Sequence, residues 1–335
     1  MTPRTEPCKI GNWFGKPYFH FSDYLRDTYR CRVLKLPINA NLSCPNRGAM
    51  NSGCIFCSED GSASPGIGGR TSIPEQMESA RKNFKRIDAG TRFIAYFQAY
   101  TNTYAPPAQL KRLYDQAVRQ RDVIGLMIGT RPDCLPDQTL DLIASYQKDG
   151  FELWLEIGMQ TIHDKSLEFL RRGHSSSATM NAVERAVRKN IPVCVHLILG
   201  ITGEDWKEMM DTADALSQMP VRGVKFHHLH VIQGTQLEKL FRAGEVKPLS
   251  QREYVSILCD FIERLPSSIL IHRLMGDREE STLVAPRWSL NKGTVIKAIE
   301  DEFARRGTFQ GFFGTPLPGH GNLMQDLMYW FHHHG

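Results

Sequence analysis

The chain has 335 residues, of which 41% are hydrophobic, and it includes 17 Phe, 10 Tyr and 5 Trp. This composition can build a large buried core, and it excludes a disordered or low-complexity fibrous protein. No run of about 18 or more apolar residues occurs, so we expect no membrane span. Residues 1–16 mix charged residues with Pro and Gly and lack the apolar core of a signal peptide, which predicts a cytoplasmic protein.

The charge balance does not by itself indicate a function. Forty-one Lys and Arg oppose 36 Asp and Glu, a formal net charge of +5 at pH 7. This value permits a nucleic-acid partner without indicating one. Basic residues gather at 81–86 and 185–189, a pattern typical of solvated helix faces. We assign no function to the three histidines at 332–334.

Apolar or β-branched segments alternate with amphipathic segments along the first two thirds of the chain. The predicted strands are 31–38, 92–100, 122–129, 151–158, 192–200 and 221–232. The predicted helices are 74–87, one that begins after Pro107, 137–149, 163–189 with a break near Gly173, and 204–219. Repeated β–α units of this kind predict a parallel sheet. Because six units are fewer than the eight of a closed barrel, we predict an α/β fold with a partial (β/α)6 TIM-like barrel.

We divide the chain into an N-terminal segment (1–30), the barrel (31–235) and a C-terminal α/β extension (236–335). The extension contains a helix near 250–264, the short strand SILIHRL and a helix near 291–305. No low-complexity linker precedes it, so we expect it to pack on the barrel. Its loop GDREESTLVAPRWSLNK either clamps a nucleotide or forms an ion-paired surface loop anchored by its Trp.

Three of the eight cysteines, Cys44, Cys54 and Cys57, lie in one loop after the first predicted strand. A disulfide framework is not expected in a cytosolic chain, and three thiols cannot pair evenly. A closed zinc site needs a fourth ligand, and no His or Cys follows within the next twenty residues. A four-iron, four-sulfur cluster held by three Cys leaves one iron open to an external ligand. We therefore favour a reactive [4Fe-4S] cluster over zinc, and we expect Phe56 to shield it.

Chemistry in parallel β/α folds takes place at the carboxyl ends of the strands. Polar or glycine residues stand at that end of the predicted strands: Gln98, Tyr100 and Asn102; Thr130, Arg131 and Asp133; Glu156 and Gln160; Gly200, Gly203 and Glu204; His228 and His230. For the two histidines we favour a place in the core.

Three cysteines after a first barrel strand, with an aromatic residue inside the CxxC, resemble the radical S-adenosylmethionine (SAM) superfamily. GMQTIHDKSLEFLRRGHS (158–175) resembles the strand-four segment of its elongator catalytic-subunit-like branch, and VHLILGITGED (195–205) resembles its strand-five adenine-binding segment. TRPDCLP (130–136), FQAYTNTYAP (97–106) and the extension loop are similar to the bacterial YhcC-type group. The nine-residue gap between Cys44 and Cys54 exceeds the three residues of most superfamily members, and that group also has a long gap.

The resemblance implies that the three cysteines ligate three irons and that SAM chelates the fourth. Gln98, Ala99 and Tyr100 stand where the family has a Gly-Gly-Glu that binds the methionine amino group, so backbone contacts would serve there. The further cofactor contacts that it implies are Glu156 and Gln160 towards the ribose or methionine end, Arg172 at the carboxylate, and Ile198 and Gly200 against adenine. Thr130 is also counted among the cofactor-binding residues. An ion pair inside the barrel is the alternative for Glu156, and an exposed helix charge is the alternative for Arg172.

The resemblance also implies an activity. An electron from an external flavodoxin- or ferredoxin-type donor would cleave SAM to a 5′-deoxyadenosyl radical that attacks the substrate. The elongator-like branch acts on C5 of tRNA wobble uridine, which indicates tRNA as the partner and a C5 substituent, such as carboxymethylaminomethyl, as the target. We do not expect acetyl transfer, since the extension is short and lacks an acetyl-CoA loop. The alternatives are a radical SAM enzyme of a small metabolite, or a zinc-stapled RNA-binding protein without turnover; we expect no DNA partner.

Overall fold

The computed structural model describes residues 13–48, 51–58, 61 and 71–313. The strands in this part of the chain are β1 (Val33–Ile38), β2 (Arg47–Gly48), β3 (Asn51–Ser52), β4 (Arg92–Phe97), β5 (Val123–Thr130), β6 (Glu152–Gln160), β7 (Val193–Leu199), β8 (Gly223–His228), β9 (Val231–Ile232), β10 (Leu270–Arg273) and β11 (Leu283–Ala285). The helices are α1 (Phe21–Tyr29), α2 (Ile73–Lys82), α3 (Pro107–Val118), α4 (Asp137–Ala144), α5 (Asp164–Phe169), α6 (Ser176–Arg188), α7 (Trp206–Ser217), α8 (Gln236–Arg242), α9 (Gln251–Ile262) and α10 (Lys292–Arg306). None of the helices described is long and apolar enough to cross a membrane.

A parallel sheet of seven strands in the order β1-β4-β5-β6-β7-β8-β10 forms the centre of the molecule. Helices connect the strands, and the sheet curls into a half-barrel. The predicted partial TIM-like barrel is therefore confirmed. The six predicted strands begin and end within a few residues of their expected positions, except that the segment 221–232 divides into β8 and β9.

The seventh strand comes from the C-terminal extension. The short strand predicted at SILIHRL is β10, which pairs in parallel with β8, so that Leu270 lies opposite Gly223 and Ile271 opposite Val224. The six-unit pattern did not include this strand. Without β10, the backbone N–H and C=O groups along one edge of β8 would have no strand to pair with. Pairing with β10 satisfies them. The extension therefore packs on the barrel and also lengthens its sheet.

Two short helices, α1 and α8, were not predicted. α1 lies between the two edge strands of the sheet. Its Phe21 ring stacks on His272 of β10 at 3.9 Å and lies 4.7 Å from the Lys35 ammonium group of β1. The same ring meets Trp154 of β6 edge-on at 5.4 Å. α1 therefore closes the interior of the half-barrel at the gap between β1 and β10.

Side chains of each strand alternate between the helices and the barrel interior. On β6, Leu153, Leu155, Ile157 and Met159 belong to the core under the helices. The alternate positions of β6, which face the interior, are Glu152, Trp154, Glu156, Gly158 and Gln160. The parallel register places Glu156 beside Gly129 of β5 and Cys194 of β7. The interior is therefore lined by polar as well as apolar groups.

Candidate active site

The cysteine loop follows β1 at the carboxyl end of the half-barrel. Cys54 is buried, and Cys44 and Cys57 are half-buried. Two turns shape the loop, since Arg47 N donates to Cys44 O at 2.9 Å and Cys57 N donates to Cys54 O at 3.0 Å. The long gap between the first two cysteines contains the small hairpin of β2 and β3. The unusual spacing therefore encodes a local structural element.

Ile55, inside the CxxC, attaches the loop to the barrel. Its side chain is buried in a cluster with Leu170, Ile198 and Leu237, and Phe56 packs against the same cluster. Ile55 N donates to Leu170 O at 3.2 Å, and Leu237 N donates to Ile55 O at 2.9 Å. The loop is thus held by α8, which the sequence analysis did not predict. The shielding role of Phe56 stays a prediction.

Side-chain N–H groups point at two of the three sulfurs. Cys54 Sγ accepts from Asn46 Nδ2 at 3.4 Å and from Arg172 Nη1 at 3.3 Å. Cys57 Sγ accepts from Arg47 Nη2 at 3.2 Å. Hydrogen bonds from charged donors stabilise anionic sulfur. Asn46 and Arg47 were not predicted to contact the sulfurs, although their position inside the cysteine loop was a usable signal.

Arg131 and Arg172 place two buried guanidinium groups beside the loop. Arg131 donates to Asp133 at 3.0 and 2.9 Å, and Arg172 Nη2 donates to Gly158 O at 3.0 Å. Arg131 Nη1 and Arg172 Nε have no hydrogen-bond partner within the described residues. Burial alone would lower the pKa of Arg131, but Asp133 and the nearby cysteine sulfurs raise it above its ordinary value. Arg172 is therefore a buried group at the loop and not an exposed helix charge.

The donor set fits an anionic iron–sulfur centre better than zinc. The charged N–H donors at Cys54 and Cys57 suit a cluster whose net charge is negative.

The segment predicted at the SAM amino group contacts the cysteine loop. Gln98 N continues the hydrogen bonds of β4 to β1, and Ala99 is buried. Tyr100 takes a left-handed backbone conformation with φ 61°, and its N–H donates to Gly61 O at 3.2 Å. The Tyr100 ring lies 5.7 Å from the Arg47 guanidinium group. The structure therefore brings this segment to the loop, and its contact with SAM stays a prediction.

Gln160 and Arg172 converge at the end of β6. Gln160 has φ 72° and is buried. A Cβ atom on Gly158 would lie 2.8 Å from Gln160 Nε2 and 2.9 Å from Arg172 Nη2, so the glycine allows both side chains to approach. Thr130 ends the neighbouring strand β5, where its hydroxyl lies 2.5 Å from that of Thr103. These predicted residues thus gather around the strand ends beside the loop.

The end of β7 brings Ile198 and Gly200 near the same region. Ile198 belongs to the cluster that buries Ile55. Gly200 has φ 80°, and a Cβ atom there would lie 2.7 Å from Leu249, so only glycine fits without strain. Its N–H points at Met209 Sδ at 3.4 Å. Packing against adenine stays a prediction for both residues.

Glu156 lies deeper in the barrel and is completely buried. Its Oε2 accepts from the Tyr96 hydroxyl at 2.6 Å and from Lys225 Nζ at 2.8 Å, and His196 Nε2 lies 2.7 Å away. Burial by itself would raise the pKa of Glu156, but Lys225 and His196 hold it well below its usual range. The structure therefore contains the interior ion pair that was the alternative for this residue, and its contact with SAM stays a prediction.

The remaining polar residues singled out in the sequence either pack in the core or form ion pairs. His228 and His230 are buried core side chains, and the His228 ring lies 4.5 Å from that of Trp288. The extension loop carries the ion pairs Arg287–Glu280 and Lys292–Asp277. The basic residues of α6 also form ion pairs: Arg185–Asp137, Arg188–Glu184 and Lys189–Asp141. These contacts correspond to the ion-paired loop and the solvated helix face considered above.

Comparison with known proteins identifies the family. The Radical SAM superfamily model matches residues 44–216, and the Radical_SAM C-terminal domain model matches residues 221–305. The chain is 39% identical to MJ0486 of Methanocaldococcus jannaschii over 305 residues, 89% of this chain and 92% of that protein. It is 35% identical to YhcC of Escherichia coli over 310 residues, 92% and 97% of the two chains.

More distant similarities extend to the elongator-like branch. The tRNA uridine(34) acetyltransferase of M. jannaschii is 27% identical over 180 residues, which are 52% of this chain and 32% of that protein. The solved structure of Methanocaldococcus infernus Elp3, lacking residues 1–46, shares the fold with a TM-score of 0.60 at 16% identity, over 83% of this chain and 64% of that one. The chain therefore belongs to the radical SAM superfamily of enzymes, which use a [4Fe-4S] cluster and SAM, and within it to the Elp3-like YhcC-type group.

Proposed function

We propose that this radical SAM enzyme modifies tRNA by remodelling the C5 substituent of the wobble uridine. The cysteine loop with its guanidinium donors carries the catalytic part of the proposal. The similarity of about half the chain to a protein named tRNA uridine(34) acetyltransferase supports the choice of substrate. When bound, the cluster and SAM supply a 5′-deoxyadenosyl radical that removes a hydrogen atom from the substrate.

The residues of this chain have distinct tasks in the proposal. Cys44, Cys54 and Cys57 hold three irons. Arg172, whose Nε has no partner among the described residues, binds the SAM carboxylate, and Gln160 beside it binds the methionine or ribose end. These assignments are supported by the distances around Gly158 and by the contact of Arg172 with Cys54 at 3.3 Å.

The surroundings of the loop protect such chemistry. A carbon radical reacts with any accessible hydrogen donor, so the site must exclude water and stray solutes. The apolar cluster of Ile55, Ile198 and Leu237 borders the loop on one side, and Phe56 packs against that cluster. In the proposal Ile198 and Gly200 form the adenine-facing surface, and the backbone of residues 98–100 binds the SAM amino group.

The first test is 5′-deoxyadenosine release by anaerobically reconstituted protein with SAM and dithionite. Cys57→Ala should abolish release and reduce the bound iron. Cys31→Ala is the matched control, because Cys31 is also half-buried but precedes β1 at the opposite end of the barrel. Full release from the Cys57 variant would refute the assignment of the cysteine loop.

The second test addresses the substrate. Bulk tRNA from cells that lack the gene should stimulate 5′-deoxyadenosine release, and nucleoside mass spectrometry should show a changed wobble uridine. Binding of that tRNA should weaken steeply with salt, because phosphate contacts release counterions. SAM cleavage that tRNA does not stimulate, with no nucleoside changed, would favour the small-metabolite alternative and leave the radical chemistry intact. An external flavodoxin- or ferredoxin-type donor should replace dithionite.

A further inference from the structure

The barrel interior contains more positive than negative charge. Lys35 of β1 and Lys225 of β8 interact electrostatically there with the Glu156 carboxylate, and Arg273 of β10 lies close enough to act on both lysines. Lys225 and Glu156 form a direct ion pair at 2.8 Å and neutralise each other. Lys35 and Arg273 are left without an acidic partner in the described part of the chain. The other interior carboxylate, Glu152, accepts hydrogen bonds from Tyr29 and Trp154 and lies near Arg222, so it pairs with neither of these two cations.

The Lys35 ammonium group lies over two aromatic rings. It lies 4.7 Å from the centre of the Phe21 ring and 5.7 Å from that of Tyr96. The ammonium group makes no hydrogen bond or ion pair with another described residue, and the Lys35 side chain is half-buried. Burial, together with the charges of Lys225 and Arg273, lowers the pKa of Lys35 to about 8. A lysine in this setting retains donors for a ligand.

Arg273 is also incompletely paired. Its Nη2 lies 2.7 and 2.5 Å from the two ring nitrogens of His227, and its Nε has no hydrogen-bond partner among the described residues. Both side chains are half-buried. His227 and His196, with ring centres 5.6 Å apart, add neutral donor or acceptor groups to the same surface.

The two cations belong to one group of connected side chains. Lys35 lies 5.7 Å from the centre of the Tyr96 ring, and Tyr96 and His196 both form hydrogen bonds with Glu156. The His196 ring lies 5.6 Å from that of His227, which Arg273 contacts. Burial of unpaired like charges is costly, and an anion placed between them removes much of that cost. The same positive surplus argues against a metal cation at Glu156, Cys194 and His272.

We propose that Lys35 and Arg273 form a subsite inside the half-barrel that binds a carboxylate or phosphate group of the substrate. The subsite deepens the proposed function, on which it rests, by naming the chemistry of the substrate group that enters the barrel. It differs from the guanidinium groups of Arg131 and Arg172, which lie at the cysteine loop.

The test uses cluster-loaded protein under anaerobic conditions, with succinate, inorganic phosphate and the uncharged analogue succinamide as probes. Titration calorimetry measures affinity, and a thermal scan measures Tm. The subsite predicts that an acid binds and succinamide does not, with a rise in Tm of about 2 °C at ten times the Kd. The tighter of the two acids identifies the anion. Absence of binding by both acids would overturn the proposal.

Variants locate the binding. Lys35→Met and Arg273→Gln should each weaken binding of the acid at least about tenfold, the effect of one lost charged hydrogen bond, whereas Lys82→Met on the exposed face of α2 should not. Without an anion, Lys35→Met should melt no lower than the wild type, because it removes an unpaired buried charge. A lower Tm together with an unchanged response to the acid would show a structural lysine and refute the proposal. Loss of binding in Arg172→Gln alone would place the anion at the cysteine loop, which also refutes it.

Failure of this inference is distinguishable from failure of the proposed function. SAM cleavage without binding of the acids leaves the radical enzyme without this subsite. Binding that depends on Lys35 and Arg273, in protein that releases no 5′-deoxyadenosine, leaves the subsite and removes the radical chemistry.

Discussion

Removal of the buried cation from the Lys225–Glu156 pair should destabilise the barrel far more than removal of the whole pair. Lys225→Met leaves the Glu156 carboxylate in the interior with the Tyr96 hydroxyl and His196 as its remaining partners. At the observed separation of 2.8 Å the attraction between the two charges is about 6 kcal/mol at an effective dielectric constant of 20. Because the two remaining partners still stabilise the carboxylate, we expect a loss of about 3 kcal/mol.

Glu156→Gln should cost about as much, since it leaves the Lys225 ammonium group buried without an anion. The double variant Glu156→Gln/Lys225→Met removes both charges and should cost less than about 3 kcal/mol, against about 6 kcal/mol for the two single losses together, which gives a coupling of at least about 3 kcal/mol. Urea unfolding at pH 7 measures all four proteins. Lys207→Met, which breaks an exposed pair with Asp211, is the matched control and should leave the urea midpoint unchanged.

The pKa of His196 provides a second measurement of the ion pair. Burial and the Lys225 charge lower this pKa to about 4. In Lys225→Met this pKa should rise, and NMR titration of the imidazole would detect the change. Single-variant losses that simply add in the double variant, with an unchanged His196 pKa, would refute the ion-pair reasoning.

Three further predictions follow from the site and its surroundings. Ile55→Ala removes the buried anchor of the cysteine loop, at a cost of about 2–4 kcal/mol, so iron bound per chain after reconstitution should fall; full iron content would contradict the anchoring role. Arg172→Met removes an N–H donor from Cys54, so the cluster potential in an EPR-monitored titration should become more negative, by about 60 mV if that bond is stronger in the reduced state by about 1.4 kcal/mol; an unchanged potential would contradict it. Burial lowers the pKa of His228 to about 3. Between pH 6.5 and 3 the unfolded chain therefore binds more protons at this residue than the folded chain does. The free energy of unfolding should fall by about 2.5 kcal/mol between pH 7.5 and 4.5 through this residue. His228→Phe keeps a ring against Trp288 and should flatten that dependence in urea unfolding; an unchanged slope with pH would exclude His228 as its source.

Several features of the site were accessible from local sequence patterns. The spacing of Cys44, Cys54 and Cys57 indicated a metal cluster, and the alternation of apolar and amphipathic segments indicated parallel β/α units. The assignment of the three cysteines stays a prediction, whereas the prediction of parallel β/α units is confirmed, because residues near each other in the sequence determine such units. The break at Gly173, where φ is 67°, is a similar case, since glycine permits the turn between α5 and α6.

Other features depended on which strand lies beside which. The sequence pattern alone did not show that β10 joins the sheet beside β8, nor that α8 holds Ile55 from more than 180 residues away along the chain. Short elements such as these have little local signal, and tertiary contacts stabilise them.

The charged residues of the barrel interior show most clearly which features the sequence predicts and which require the tertiary structure. Polar residues at alternate positions of apolar strands, such as Lys35, Glu156 and Lys225, are visible in the sequence, so their presence on one face was open to prediction. Their pairing was not, because it requires the register of the sheet and its curvature, which bring β1, β6 and β8 around one interior. The sequence by itself determined the class of fold and indicated the three cysteines that are predicted to hold the cluster. Only the tertiary structure decided that Lys225 pairs with Glu156, while Lys35 and Arg273 have no acidic partner among the described residues.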